Sequence, residues 1–151
     1  AGNGIKNEYR EVEVQPFDQL QISANITVIL YESKDISTIV IKGKQKFTRR
    51  IAVLQKENQL LVTTCSGANL KEYITVFIPV NRLRSLSVSD DARVRSQTVL
   101  QTALLELSAE GLSEINVIVN GPVSVIKGGQ HALVKPVRPG QVMPRLLMPL
   151  L

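Results

Sequence analysis

Asp90-Asp91, followed by Arg93 and Arg95, is the densest charged constellation in the second half of the chain. Carboxylates beside guanidinium groups can hold a cation or bind a polar ligand. Neighbouring aspartates on a strand point to opposite faces, so only a turn aims both at one target. Calcium takes about six to eight oxygens, more than this segment supplies alone. Glu110 and Glu114 would have to join from a later segment, and Glu110 completes the candidate ligand-binding set of Asp90, Asp91, Arg93, Arg95 and Glu110. The plainer alternative is a solvated turn with local arginine pairs. A second cluster, Lys42, Lys44, Lys46, Arg49 and Arg50, contains no acid. It reads as the solvated end of a hairpin or as an anion patch for phosphate-bearing glycans or lipid headgroups.

Other chemistries are closed off by count. One histidine, His131, and one cysteine, Cys65, exclude an internal disulfide, a cysteine-based zinc site and a histidine cluster. His131 reads as a loop residue and Cys65 as a small packed thiol. Neither a catalytic residue nor a metal site nor a cofactor is expected. Tyr9, Tyr31 and Tyr73 are too scattered in sequence to suggest a sugar-stacking platform.

At 151 residues, with 44% hydrophobic and 21% charged residues, the chain makes one domain with a real core. No apolar run approaches the roughly 20 residues of a membrane helix. The net charge of +5 is unevenly placed. Up to Glu114, 14 basic residues face 13 acidic ones, and the excess lies in Lys127, Lys135, Arg138 and Arg145. A nearly neutral body with only 4% aromatics does not suit nucleic acid, which is not expected as a partner.

These residues must be positioned by strands. Apolar residues alternate with period two in Glu11–Val14, Leu20–Ser23, Ile26–Tyr31, Thr38–Lys42, Ile51–Leu54, Leu60–Thr64 and Ile74–Ile78. Lys56-Glu57-Asn58-Gln59 reads as a hairpin turn, and Pro79 as a strand stop. Asn3-Gly4, Asn120-Gly121 and Gly128-Gly129 read as turns. Leu86/Val88, Leu105/Leu107 and Val123/Val125 repeat at 19 and then 18 residues, each pair running into a polar or glycine turn. Such spacing predicts stacked coils, with Leu86, Leu105 and Val123 as successive rungs. The fold expected is all-β: a strand- and hairpin-rich N-terminal half running into a short right-handed parallel β-helix, or solenoid. A β-sandwich is the alternative. Residues 1–135 form the domain, with coils over about 83–130. Residues 136–151, with four prolines, read as an apolar tail that caps the stack, docks on a second protomer or reflects an altered reading frame.

The order Gly2-Asn3-Gly4, Glu8–Val12, Phe17-Asp18-Gln19-Leu20, Ile26–Leu30, Ile74–Pro79 and Leu83–Ser89 resembles the bacterial family of auto-transporter adhesin head GIN domains, over about residues 2–130. Asp90-Asp91 departs from the glycine-rich pattern expected there. The resemblance implies an exported protein of the periplasm, outer membrane or cell surface of a Gram-negative bacterium. It implies a non-enzymatic binding or adhesion module, with a glycan or other cell-surface component as partner. Ala1-Gly2 carries no basic-then-apolar leader, so the chain reads as a mature or trimmed form, with membrane association only through a leader or lipid anchor outside it. A β-helical polysaccharide lyase is the competing reading, by fold analogy alone. A structural, homo-oligomer-forming unit is the third.

Overall fold

The computed structural model describes residues 6–127 and 133–139. The fold is nearly all β, with two mixed sheets. Its strands are β1 (Asn7–Glu13), β2 (Gln19–Ser23), β3 (Thr27–Glu32), β4 (Thr38–Lys44), β5 (Ile51–Lys56), β6 (Gln59–Thr64), β7 (Ile74–Val80), β8 (Ser85–Ser89), β9 (Arg93–Ser96), β10 (Leu100–Gln101), β11 (Leu105–Ala109), β12 (Glu114–Asn120), β13 (Val123–Lys127) and β14 (Leu133–Val137). One helical turn, α1 (Gln45–Thr48), lies between β4 and β5.

One sheet runs β1-β4-β7-β3-β9-β12, with β10 and β14 both paired to β12; the other runs β13-β11-β8-β2-β6-β5. Within each sheet the central pairings are parallel, and among the described residues antiparallel pairing is confined to β1–β4, β4–β7 and β5–β6. β-Branched residues dominate the inward positions because a branched Cβ suits the pleated surface. Register lines them up across strands. Ile41, Val76, Val28, Val94 and Ile115 form one row, and Leu60, Leu20, Leu86 and Leu107 another. All nine side chains are buried in a single core to which both sheets contribute.

The repeat is present with a different register. Leu86 pairs with Leu107, not Leu105, while Leu105 pairs with Val123 and Leu107 with Val125. A shift of two residues leaves every side chain on the same face, so hydrophobic spacing alone does not distinguish the two alignments. Parallel pairing also starts far earlier than residue 83, because β2 and β3 already pair in parallel with β6, β7, β8 and β9. The N-terminal half is thus less hairpin-rich than its sequence suggests. The turn at Glu57-Asn58 does join β5 and β6 as expected, with Glu57 at φ 54°.

Pro79 does not stop its strand. The ladder between β7 and β4 ends at Phe77, so among the described residues only β3 still pairs with β7 at Pro79, where a missing donor is tolerated. Pro136 likewise lies inside β14, which pairs on one side with β12. Gly121 has φ +139°, and a Cβ there would sit 2.2 Å from the Thr102 carbonyl oxygen, so the expected turn does require glycine. Asn3-Gly4, Gly128-Gly129, His131 and residues 140–151 of the tail lie outside the described residues.

Candidate functional site

Among the described residues, four corners lead from a strand of the second sheet to a strand of the first: Ala24–Ile26 after β2, Cys65–Tyr73 after β6, Asp90–Ala92 after β8 and Glu110–Ser113 after β11. Because β11, β8, β2 and β6 are neighbours in that order, their corners fall in a line. Backbone bonds tie each corner to the next. The Arg93 amide donates to Ile26 O (2.9 Å), Leu70 to Asn25 O (2.8 Å) and Glu114 to Ala92 O (2.9 Å). The line encloses an open, polar groove of about 510 Å³, walled by Ser23, Asn25, Thr64, Ser89, Asp90, Asp91 and Glu110, with Cys65, Ser66 and Gly111 alongside.

Asp90 and Asp91 do sit in a turn, both in the left-handed region at φ 58° and 63°. Aspartate tolerates that region better than most side chains because it is short and hydrogen-bonds locally. Each carboxylate has one oxygen engaged. Ser23 Oγ donates to Asp90 Oδ2 at 2.7 Å, and the Leu112 amide donates to Asp91 Oδ1 at 2.8 Å. Lys71 Nζ donates to the Asp91 carbonyl at 2.8 Å. The aspartates thus pin three corners together along the groove they line.

Of the candidate set, the groove gathers Asp90, Asp91 and Glu110 and leaves out the arginines. Arg93 pairs with Glu114 (Nε to Oε2, 3.1 Å) and weakly with Glu72 (3.9 Å). Arg95 lies on β9 two residues further, in register with Ile29 and Asn116, and is exposed on the outer face of the other sheet. Among the described residues, no three His, Cys, Asp or Glu side chains come together as metal ligands.

Cys65 corrects the reading of a packed thiol: it is exposed on the groove wall. β6 ends at Thr64, so the alternation that would have placed Cys65 no longer applies. Sequence also missed Ser23, Asn25, Thr64, Ser66 and Ser89. Each lies at or just beyond a strand end, and that shared position was the available signal.

The basic cluster is not a hairpin end. Lys42 and Lys44 close β4 in one sheet, α1 carries Lys46, and Arg49-Arg50 lead into β5 in the other sheet. Lys46 Nζ and the Arg50 guanidinium lie 4.9 and 5.9 Å from the Phe47 ring centroid. Arg10 donates to the carbonyls of Thr48 (2.7 Å) and Ile51 (2.9 Å), holding this connection from β1. Lys42 and Lys44 instead line a second cleft of about 420 Å³ with Tyr9, Tyr73, Phe77 and Thr75. Aromatics far apart in sequence are therefore neighbours in space.

Residues 16–127 match the family model described as "Putative auto-transporter adhesin, head GIN domain". The chain belongs to this family. No curated protein matches it. Among solved structures it is similar to an adhesin, so named provisionally, of Parabacteroides distasonis (14% identity, TM-score 0.63), covering 86% of this chain and 65% of that one. A second such adhesin, from Parabacteroides merdae, shares 11% identity at TM-score 0.55, over 87% and 96% of the two chains. A further P. distasonis structure, titled a lipid binding protein in the same provisional terms, shares 11% identity at TM-score 0.61, over 87% and 59%. The head GIN chain therefore spans about two thirds or less of two of these proteins. At these identities the likeness establishes the fold alone.

Proposed function

We propose that this head GIN domain is a non-enzymatic binding module of the bacterial cell envelope, exported to the periplasm, outer membrane or surface, which engages a surface glycan along its stacked corners. In this reading the parallel strands form a short right-handed β-helix, each rung ending in one polar corner. The observation that carries the proposal is the alignment of four corners into one open groove of hydroxyl, amide and carboxylate groups. Such a groove offers many shallow hydrogen bonds rather than one enclosed reaction centre, and repeated weak contacts sum to useful affinity on a polymer. The adhesin naming of the family supports the same reading.

Binding to immobilised bacterial surface polysaccharide, compared between the native chain and the variant Ser89→Ala/Glu110→Gln, tests it. Retention falling several-fold in a variant that melts normally is expected. Equal retention overturns the corner assignment. A rise in ultraviolet absorbance on a polyuronate substrate, the mark of a lyase product, overturns the non-enzymatic reading.

A further inference from the structure

The cleft beside β1, β4 and β7 has a composition unlike the corner groove and shares no lining residue with it. Period-two alternation and register build it. Tyr9, Lys42 and Thr75 are paired residues on three adjacent strands, with Asn7 and Lys44 in the next row. Phe77 and Ile29, paired across β7 and β3, supply an apolar floor. Tyr73 enters from the loop before β7 and leans on Phe47, with ring centroids 5.3 Å apart. Tyr9 and Tyr73 are 68% and 46% exposed, large aromatic surfaces left in solvent.

The charges in the cleft are unevenly satisfied. Its two carboxylates have partners: Glu8 accepts from the Thr48 hydroxyl, and Glu72 faces Arg93 at 3.9 Å. Lys42 and Lys44 form no ion pair among the described residues. Lys42 Nζ lies 5.0 Å from the Tyr9 ring centroid, which holds the ammonium over the ring at the cleft rim. The cleft thus combines an aromatic wall, two ammonium groups that form no ion pair among the described residues, and the Asn7 amide and Thr75 hydroxyl.

We propose that this cleft is a second binding site, for an acidic sugar unit of a polysaccharide. The apolar C–H face of the sugar ring lies against Tyr73 and Phe77, its hydroxyls reach Thr75 and Asn7, and Lys42 and Lys44 receive its carboxylate through charge-assisted hydrogen bonds. Tyr9 acts as a positioning residue that seats Lys42. A cavity of about 420 Å³ falls within the size range of small-molecule sites. Anionic phosphate alone would leave the aromatic wall without a role. This site does not depend on the corner reading.

The test is calorimetric titration of the intact chain with a uronate tetrasaccharide and with its carboxyl-reduced, neutral counterpart. The acidic form is expected to bind about tenfold more tightly at low salt, with the preference shrinking as salt screens the lysines. Lys42→Gln/Lys44→Gln abolishes the preference for acid over neutral sugar. Tyr73→Ala weakens both forms, while Tyr73→Phe retains binding and controls for misfolding. The Ser89→Ala/Glu110→Gln variant of the corner groove leaves the titration unchanged. Equal affinity for the two sugars, no binding of either at millimolar concentration, or binding to anionic phospholipid vesicles that the tetrasaccharide does not displace, each overturns the proposal.

Discussion

Asp91 shows how one side chain serves both fold and surface. Its backbone lies in a region that costs most non-glycine residues energy, and its Oδ1 accepts from the Leu112 amide on the next corner. Asp91→Ala removes the acceptor and keeps the strain, and is expected to lower stability by about 1–3 kcal/mol in urea unfolding. Asp91→Asn keeps an acceptor and tolerates the left-handed region, so it should stay within about 0.5 kcal/mol of the native chain. Equal losses for the two would show that charge, not the turn bond, stabilises the corner. Ser113 offers the opposite case: it is buried and its Oγ has no hydrogen-bond partner among the described residues. Ser113→Ala removes a desolvated hydroxyl and is expected to raise the melting temperature or leave it unchanged. At this scale the sequence singled out Asp90, Asp91 and Glu110, which the fold brings to one groove, because carboxylates at a turn stand out within an alternating strand. It hid Cys65 and the tyrosines. Their exposure and neighbours depend on where β6 ends and on which strands lie beside β4, and neither is a local property.

Strands were legible from alternation, but their partners were not. Period two specifies the inward face of β8 and says nothing about which inward residue of β11 it meets, so Leu86 lies beside Leu107 rather than Leu105. Leu86 sits between Leu20 and Leu107 and is 1% exposed. Leu86→Ala opens a cavity in the middle of that row and should cost about 2–5 kcal/mol by chemical denaturation. A loss below about 1 kcal/mol would mean that the row does not form. Gly43 is the counterpart at the second cleft. A Cβ there would lie 2.0 Å from the Tyr73 carbonyl oxygen, at φ +154°, so β4 and the segment before β7 approach as closely as they do only with glycine. Gly43→Ala is expected to cost more than 1 kcal/mol and to move Tyr73, which tyrosine fluorescence or chemical shifts would register. Neither proline in a strand contradicts the rule that proline avoids paired backbone. The rule concerns the free or paired side of an edge, and that was decided by the rest of the fold.

Chain order and spatial order diverge across the molecule. β2 and β3, almost the first strands made, lie in the middle of both sheets, between β6–β7 on one side and β8–β9 on the other. Their second partners arrive only from residue 85 onward, so the central pairings close long loops and folding is expected to be slow, on the order of milliseconds to seconds. No pattern inside a single strand announces this arrangement, which is why the sequence placed the stacking in the second half alone. Stability should follow position in the sheets rather than position in the chain. β2 and β3 are paired on both edges and their inward side chains Leu20, Ile22, Val28 and Leu30 are buried, whereas β13 leaves Val125 and Ile126 at 44% and 57% exposed. A strand at a sheet edge, paired on one side only, opens more easily than one paired on both. Native-state hydrogen exchange should therefore find amides of β2 and β3 exchanging only through global unfolding, those of β8 and β11 intermediate or equal to them, and those of β13 through a smaller opening. Adding low urea should leave exchange from β13 nearly unchanged while accelerating it at β2, because only the global opening exposes large surface. Exchange from β13 that matches β2 in rate and urea dependence would require the whole molecule to unfold as one unit, and the account in which the sheet edge opens first would fail.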